Sequence, residues 1–312
     1  MKIVVYAPEM DLKPWLDGLA GRFPAADIWR WSADCADRQA EYALAWSPPA
    51  AFLASQRTLK AVFCLGAGVD RLLALHGAAG LGGRTPLVRL DDAGMAVQMA
   101  EYVCHALFAH TRQFAAYRQQ QEQAVWKTLP AIDRAAWPVG VMGLGAIGAR
   151  VARSVAAFDY PTLGWSRSPK SLDGVTTFHG DAQLDAFLRA TRVLVCVLPL
   201  TAATTGILNA ATLGKLRPDG YLISTGRGGH LVEADLLAML DSGQLGGATL
   251  DVFATEPLPA DHAYWRHPRI RLTPHISAIT LVGASLDQIA GKIAAMENGQ
   301  PVTGRVDADR GY

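Results

Sequence analysis

The chain lacks the features that would place it in a membrane, on a nucleic acid or in a secreted class. Its net charge is +1, so no excess of basic residues favours a nucleic-acid or membrane surface. No stretch approaches the roughly 20 apolar residues of a membrane span. The apolar run Ile3–Tyr6 is too short for a secretion signal and instead predicts a buried opening strand. These absences favour a globular protein that binds neither nucleic acid nor membrane.

Cysteine is scarce, and its placement argues against two further kinds of site. The four residues, Cys35, Cys64, Cys104 and Cys196, show no C-x-x-C spacing, so neither a metal site nor a redox pair is indicated. Buried, reduced thiols are the ordinary use of such cysteines. The sequence therefore predicts no metal and a cytoplasmic location.

Short apolar runs that alternate with helical patterns fill most of the 312 residues. Such alternation is typical of a parallel β-sheet covered by helices on both faces. The chain is long enough for two domains, and the alternation occurs twice, before about residue 95 and again from Val139. The segment between them carries a pattern that predicts one long helix from Val97 to Gln123. We therefore expect an α/β protein with two doubly wound parallel sheets.

A glycine-rich turn, Gly143-Leu144-Gly145-Ala146-Ile147-Gly148, follows the strand that begins at Val139. The first glycine permits a tight turn, the second lets a pyrophosphate approach the backbone, and the third lets the next helix pack closely. Free N–H groups at the helix N-terminus would then meet the phosphates. The sequence predicts a dinucleotide site at Gly143, Gly145, Ala146, Ile147 and Gly148.

The end of the next strand indicates which dinucleotide is bound. An NAD site places Asp or Glu about 20 residues beyond the glycines, where it binds the ribose 2′-hydroxyl. Here that segment, Gly164–Lys170, contains no acid. Arg167 can instead pair with a 2′-phosphate, with Ser166, Ser168 and Lys170 beside it. The sequence therefore predicts NADPH as the cofactor, although a solvated surface loop would show the same residues.

Three polar side chains follow apolar strands in the second half of the chain. Arg227 follows the strand Tyr221–Thr225, Glu256 follows Ala248–Phe253, and His275 follows R-I-R-L and Thr-Pro. A planar guanidinium can hold a carboxylate bidentately, an imidazole can move a proton, and a nearby carboxylate stabilises the charged imidazole. Together with a hydride cofactor, these three groups predict reversible reduction of a 2-keto acid.

The first half of the chain offers a second place for the substrate. Leu65-Gly66-Ala67-Gly68-Val69-Asp70 joins a strand to a helix, and N–H groups at Gly66, Ala67 and Gly68 could grip a carboxylate. Trp46 ends another strand and could wall off the substrate, although a core tryptophan would look the same.

These motifs together resemble those of the D-isomer-specific 2-hydroxyacid dehydrogenases over essentially the whole chain. The matching segments are G-A-G-V-D, the glycine turn, W-S-R-S, L-P-L-T, the arginine after its strand, L-D-V-F-A-T-E-P-L-P, T-P-H and the closing R-G-Y. The resemblance implies a flavodoxin-like substrate domain formed by residues 1–96 and 280–312. It also implies a Rossmann dinucleotide-binding domain at residues 97–279, a cleft between the two domains, and a homodimer.

The resemblance further implies roles for individual residues. Arg227 would bind substrate, Glu256 would orient the histidine, His275 would transfer the proton, and Asp251 would contact the nicotinamide amide. Further cofactor contacts are implied for Leu198, Pro199, Thr205, Thr225 and Gly226. The implied reaction is NADPH-dependent reduction of small 2-keto acids, glyoxylate to glycolate and hydroxypyruvate to D-glycerate.

Two residues depart from the family pattern near the expected substrate pocket. Residue 47 is Ser where a His is expected, and residue 277 is Ser where a small apolar residue is usual. Ser47 and Ser277 therefore bear on the substrate preference rather than on the reaction type. The alternatives are an NAD-dependent dehydrogenase for a bulkier hydroxy acid and a nucleotide-sensing binding protein.

Overall fold

The computed structural model describes all 312 residues and divides the chain into two units. Unit 1 contains Met1–Gly94 together with Thr280–Tyr312, and unit 2 contains Met95–Ile279. The division between Gly94 and Met95 lies two residues before the one predicted after residue 96. Both residues that precede it, Ala93 and Gly94, have positive φ angles, of 49° and 83°.

Unit 1 is built on a five-stranded sheet in which every pair of neighbouring strands is parallel. Its strands are β1 Lys2–Tyr6, β2 Asp27–Arg30, β3 Tyr42–Ala45, β4 Ala61–Cys64 and β5 Leu87–Val88. Its helices are α1 Lys13–Arg22, α2 Ala50–Ala54, α3 Asp70–Ala78 and α10 Val282–Glu297. The strand order β2-β1-β3-β4-β5 is that of a flavodoxin-like sheet.

The C-terminal segment of unit 1 is held to the sheet by an ion pair in which the lysine is buried, and by a backbone hydrogen bond. The Lys292 ammonium on α10 lies 3.0 Å from the Asp91 carboxylate and donates to the Arg89 carbonyl at 2.9 Å. Burial lowers the pKa of Lys292, and the neighbouring Asp91 only partly offsets that effect. The Val306 amide donates to the Leu87 carbonyl at 2.8 Å, so the tail continues along β5. The last 33 residues therefore fold as part of the first unit.

Unit 2 contains a seven-stranded sheet, also parallel throughout. Its strands are β6 Val139–Met142, β7 Thr162–Ser166, β8 Thr176–His179, β9 Val193–Cys196, β10 Gly220–Ser224, β11 Leu245–Leu250 and β12 Ile270–Leu272. Its helices are α4 Met95–Thr111, α5 Phe114–Glu122, α6 Ala146–Ala156, α7 Gly180–Ala190, α8 Ala210–Leu213 and α9 Glu233–Asp241. The order β12-β11-β10-β9-β6-β7-β8 is that of a Rossmann sheet. The order in which the chain adds strands reverses between β6 and β9, which are neighbours in the sheet. The predicted pair of doubly wound parallel sheets is confirmed.

The single long helix predicted over Val97–Gln123 is wrong. The structure has two helices, α4 and α5, that are separated at Gln113, where φ is +55°. The buried face of α4 ends at Thr111, whose hydroxyl lies 3.0 Å from that of Tyr160, whereas α5 buries no residue. The packing of α4 on the rest of unit 2 therefore ends at Thr111. No buried residue of α5 continues that packing, so nothing holds α5 in line with α4.

The cysteines follow the prediction at three of the four positions. Cys64, Cys104 and Cys196 are buried and lie outside any disulfide, but Cys35 is half-buried. Burial raises the pKa of Cys196 to about 12, so this thiol is not a reactive thiolate.

No helix combines the length and apolar composition needed to cross a bilayer.

Candidate active site

The glycine turn between β6 and α6 has the shape that a dinucleotide phosphate site requires. Gly143 has φ of +104°, and a Cβ there would lie 3.0 Å from the Val197 carbonyl oxygen. A Cβ on Gly148 would lie 1.7 Å from the Gly143 carbonyl oxygen, so only glycine allows α6 to pack on the turn. Both positions are therefore closed to any side chain.

The middle glycine has different surroundings. A Cβ on Gly145 would have nothing within 4 Å, and both Gly145 and Ala146 are exposed. The first turn of α6 contains no acidic residue, and its leading N–H groups have no partner within the helix. Open space beside unpaired donors at a helix N-terminus fits a pyrophosphate, and Ile147 lies in the same turn.

The end of β7 has the polar, acid-free character that a phosphate needs. Ser166 ends the strand and is buried, with its hydroxyl donating to the Ser168 carbonyl at 2.9 Å. Arg167, Ser168 and Lys170 are exposed. The Lys170 carbonyl accepts a bond from the Thr177 hydroxyl at 2.8 Å, so the loop is held next to β8. The exposed cation Arg167 therefore stands on an ordered loop one strand away from the glycine turn.

The segments after β9 and β10 lie next to the glycine turn, at the point where the strand order of the sheet reverses. Leu198 follows β9, and a Cβ on Gly226 would lie 2.9 Å from its carbonyl oxygen. The Thr225 amide donates to the Cys196 carbonyl at 3.1 Å. Close backbone contact places the predicted cofactor residues of both segments together, namely Leu198, Pro199, Thr225 and Gly226. Thr205 lies further along, exposed, with its hydroxyl donating to the Thr201 carbonyl at 2.9 Å.

Arg227 leaves the end of β10 in an extended conformation, with its side chain half-buried. Its Nη1 donates to the Gly226 carbonyl at 2.8 Å, and its amide donates to Nδ1 of His230 at 3.1 Å. The next residue, Gly228, is so close to Phe253 that a Cβ would lie 1.8 Å from the Phe253 carbonyl carbon. The arginine turn therefore packs directly on the segment that leads to Glu256.

Glu256 and His275, predicted to act as a pair, are in direct contact. His275 Nδ1 lies 2.8 Å from Glu256 Oε2, and since a carboxylate only accepts, the imidazole donates. The other oxygen, Oε1, accepts the Phe253 amide at 2.9 Å, which fixes the carboxylate. Both side chains remain more than one-third exposed, at 37% for His275 and 36% for Glu256. Because Nδ1 is bound to Glu256, Nε2 is the nitrogen that can exchange a proton with a substrate.

Asp251 is completely buried at the end of β11, and its carboxylate holds the segment on both sides of His275. Oδ1 accepts from the Thr273 hydroxyl at 2.5 Å and the Ile276 amide at 2.9 Å, and Oδ2 accepts from the Ser277 amide at 2.8 Å. These bonds give Asp251 a part in shaping the histidine loop that the sequence did not predict. Its contact with a nicotinamide amide stays a prediction.

In unit 1, the predicted substrate residues of two strand ends lie side by side. The Trp46 ring lies so close to Gly66 that a Cβ there would be 2.4 Å from Cζ3 of the indole. Trp46, Ala67 and Gly68 are half-buried, and Gly66 is buried. Ser47 has φ of +44°, so the chain turns sharply just after the tryptophan. The substrate roles of Trp46, Gly66, Ala67 and Gly68 stay predictions.

Most other histidines contact structural partners. His76 is buried with Nε2 2.7 Å from the Thr85 carbonyl, His262 lies 3.3 Å from Glu233, and His267 lies 3.4 Å from Asp241. Burial lowers the pKa of His110 to about 4, so it stays neutral where it stacks on Tyr221. His230, which supports the Arg227 backbone, was not singled out in the sequence, and a lone buried histidine in a loop gives no local signal.

The polar groups of unit 2 can therefore carry out acid–base chemistry beside a fixed cation. The imidazole of His275 can give or take a proton at Nε2, Glu256 holds its Nδ1, and Arg227 stands on the turn that packs on the segment leading to Glu256. No group of three or more His, Cys, Asp or Glu side chains is arranged to hold a metal ion.

Comparison with known proteins gives the same family in sequence and in structure. Residues 104–277 match the family model of the D-isomer specific 2-hydroxyacid dehydrogenase NAD binding domain. The chain is 46% identical over 314 residues, covering all of both chains, to the glyoxylate/hydroxypyruvate reductase A of Serratia proteamaculans.

Two solved structures with bound cofactor match the whole fold. A D-isomer specific 2-hydroxyacid dehydrogenase from Xanthobacter autotrophicus Py2, in complex with NADPH and MES, has a TM-score of 0.93 and 35% identity. An NADPH-dependent glyoxylate/hydroxypyruvate reductase from Sinorhizobium meliloti, in complex with NADP and sulfate, has a TM-score of 0.92 and 37% identity. Each of the two matches covers 100% of this chain and 99% of the chain in the solved structure. The chain belongs to the D-isomer-specific 2-hydroxyacid dehydrogenase family.

Proposed function

We propose that this protein reduces small 2-keto acids with NADPH, converting glyoxylate to glycolate and hydroxypyruvate to D-glycerate. The observation that carries the proposal is the 2.8 Å contact between His275 Nδ1 and Glu256, beside the turn that bears Arg227. The names of the similar proteins from Serratia proteamaculans and Sinorhizobium meliloti support the choice of substrate. Bound NADPH would supply the hydride that reaches C2 of the keto acid.

The side chains of the chain itself account for the rest of the reaction. Arg227 would hold the substrate carboxylate or its keto oxygen through its planar fork and polarise the carbonyl. His275 would deliver the proton on Nε2 to the keto oxygen as the hydride arrives at C2, so the carbonyl becomes a hydroxyl and the imidazolium becomes neutral. Glu256 would stabilise the imidazolium before transfer and keep Nδ1 as its donor.

Initial rates with different substrates and cofactors test this proposal. Glyoxylate, hydroxypyruvate and pyruvate would each be measured with NADPH and with NADH. We expect the first two acids with NADPH to give the highest kcat/KM. A preference for NADH with a bulkier acid would favour the other type of dehydrogenase, and tight NADPH binding without turnover would favour a nucleotide-sensing protein.

Arg167 would hold the 2′-phosphate of NADPH, and its removal should reduce the preference for NADPH. Arg167→Ala is expected to raise KM for NADPH by about 10- to 100-fold, because a charge-assisted hydrogen bond contributes about 1.5–3 kcal/mol. KM for NADH should stay nearly constant, since NADH has no phosphate there. Arg153→Ala, on α6, serves as a control for loss of a cation. An equal rise in KM for NADPH and NADH would show that Arg167 does not bind the 2′-phosphate.

We further propose that the protein acts as a cytoplasmic homodimer. The segment after α5 presents Val125 with 46% of its surface exposed and Trp126 with 102%, next to Phe114 and Tyr117 at 50% and 36%. The segment is held in place because the Tyr117 hydroxyl accepts the Leu129 amide at 2.9 Å. A group of exposed aromatic and apolar side chains is typical of a protein–protein interface. The buried cysteines, which form no disulfide, support a reducing compartment.

Trp126 provides the test of the dimer. Sedimentation velocity of the wild-type protein should give twice the 33.3 kDa chain mass. Trp126→Ser should weaken self-association by about 10- to 100-fold, because interface tryptophans commonly contribute 2 kcal/mol or more. Trp265→Ser is the matched control, since Trp265 is 53% exposed in another part of unit 2. An unchanged association constant for Trp126→Ser would place the interface elsewhere.

A further inference from the structure

Helix α4 holds the loop that carries His275 at both of its ends. Near the start of the loop, the Tyr102 hydroxyl lies 2.5 Å from that of Thr273. Near its end, the Gln98 side-chain amide donates to the Ile279 carbonyl at 2.9 Å and accepts the Ile279 amide at 3.1 Å. Gln98 and Tyr102 are four residues apart and so lie on one face of the helix.

The direction of the hydrogen bonds from Tyr102 follows from the acceptor at their end. The Thr273 hydroxyl lies 2.5 Å from Asp251 Oδ1, and because a carboxylate only accepts, Thr273 donates its single proton there. Thr273 therefore has only lone pairs to offer Tyr102, and the tyrosine hydroxyl must donate. Burial raises the pKa of Tyr102 to about 12, so the phenol keeps this proton at neutral pH.

The same carboxylate fixes the backbone on the far side of His275. It accepts the amides of Ile276 and Ser277 at 2.9 and 2.8 Å, while the His275 amide donates to the Asp251 carbonyl at 2.9 Å. His275 itself has φ of +56°, a left-handed conformation that a residue with a Cβ adopts only at a cost in energy. Such a conformation persists where its surroundings hold it.

We propose that Tyr102 is a positioning residue for His275, acting through Thr273 and Asp251. The Tyr102 hydroxyl donates a hydrogen bond to the Thr273 hydroxyl oxygen. This bond fixes the rotamer in which Thr273 donates its own proton to the Asp251 carboxylate. The carboxylate in turn keeps His275 in its left-handed conformation, with Nδ1 directed to Glu256. The catalytic part of this inference rests on the proposed reductase function.

Steady-state kinetics of conservative variants test the proposal. Tyr102→Phe should lower kcat for glyoxylate by about 2- to 10-fold, the effect of one net hydrogen bond, and leave the Kd of NADPH unchanged. Tyr160→Phe is the matched control, because it removes another tyrosine–threonine bond, to Thr111 on the same helix. Equal losses of kcat in Tyr102→Phe and Tyr160→Phe would overturn the proposal.

Variants of Thr273 show whether Tyr102 acts through that residue. Thr273→Val should lower kcat at least as much as Tyr102→Phe, whereas Thr273→Ser, which keeps the hydroxyl, should restore most of it. Adding Tyr102→Phe to Thr273→Val should cause no further loss, since the two belong to one chain of hydrogen bonds. Additive losses would show that Tyr102 acts by another route.

Amide hydrogen exchange tests the positioning role without any catalysis. In Tyr102→Phe the amides of Ile276 and Ser277 should exchange about 2- to 10-fold faster, because their acceptor is less firmly held. In Tyr160→Phe they should exchange at the wild-type rate. If the wild-type protein reduces no keto acid, the proposed function fails while this measurement still decides the role of Tyr102. Unchanged exchange at both amides in Tyr102→Phe would overturn that role.

Discussion

Replacing Arg227 with lysine should lower kcat/KM for glyoxylate by about 10²- to 10³-fold, although the positive charge is kept. A guanidinium presents two parallel donors in a fixed plane to a carboxylate, whereas an ammonium offers one point charge on a flexible stem. The Arg227 backbone is fixed by His230 and by the contact of Gly228 with Phe253, so a shorter donor cannot be compensated by movement of the turn. The effect should fall on kcat as well as KM.

Two measurements separate this effect from a general disturbance. Fluorescence titration should give the wild-type Kd for NADPH, because the glycine turn and the Arg167 loop are untouched. Arg189→Lys, an exposed arginine on α7, should leave the kinetics unchanged. Wild-type kcat/KM in Arg227→Lys would mean that Arg227 does not hold the substrate.

The parts of the fold that the sequence predicted well are those with strong local signals. The central strands β1, β4, β6, β9 and β10 are apolar runs, and parallel strands buried on both faces need such runs. The glycine turn was predictable because its positions are sterically demanding, as the 1.7 Å approach at Gly148 shows. These signals are contained in a few consecutive residues.

The elements that the sequence did not predict are those whose stability comes from distant partners. Strands β2 Asp27–Arg30 and β8 Thr176–His179 lie at sheet edges and bury at most one residue each, so they contain no apolar run. The break before α5 has no glycine or proline, and Gln113 takes its φ of +55° because packing stops at Thr111. The local sequence propensity therefore predicts neither the two edge strands nor the break before α5.

The candidate active site shows the same contrast. Arg227, Glu256 and His275 could be singled out as candidates because each follows a strand in the half of the chain that carries the glycine turn. Tyr102 and Gln98 could not, because their partners lie 171 and 181 residues further along the chain. Their helical pattern indicates only that they belong to α4. Supporting residues of this kind become visible only when the fold brings them together.

Removing the imidazole with His275→Ala should reduce turnover by about 10³-fold or more at every pH, because it removes the group proposed to supply the proton. NADPH should still bind with the wild-type Kd, since the cofactor residues lie on other segments. His105→Ala, an exposed histidine on α4, should behave like the wild-type protein. Retention of more than a tenth of the wild-type kcat would exclude His275 as the proton donor.

The glutamate partner makes a separate prediction about the rate of proton transfer. Keto-acid reduction needs a protonated imidazole that is held in place at Nδ1. Glu256→Gln removes the negative charge beside Nδ1, so kcat for glyoxylate should fall by about 10- to 100-fold, the effect of losing a hydrogen bond to a charged group. The Kd of NADPH should stay at the wild-type value, because the glycine turn and the Arg167 loop are untouched.

The geometry of Glu256 strengthens this expectation. The carboxylate accepts two bonds, from the Phe253 amide at 2.9 Å and from His275 Nδ1 at 2.8 Å, whereas a glutamine has one carbonyl oxygen. If that oxygen stays with Phe253, its NH₂ group faces Nδ1 and favours the neutral ring with the proton on Nε2. If it turns to His275, the charge is still lost. Both arrangements remove the negative charge that faces the ring, so a wild-type kcat in Glu256→Gln would mean that Glu256 does not act on His275.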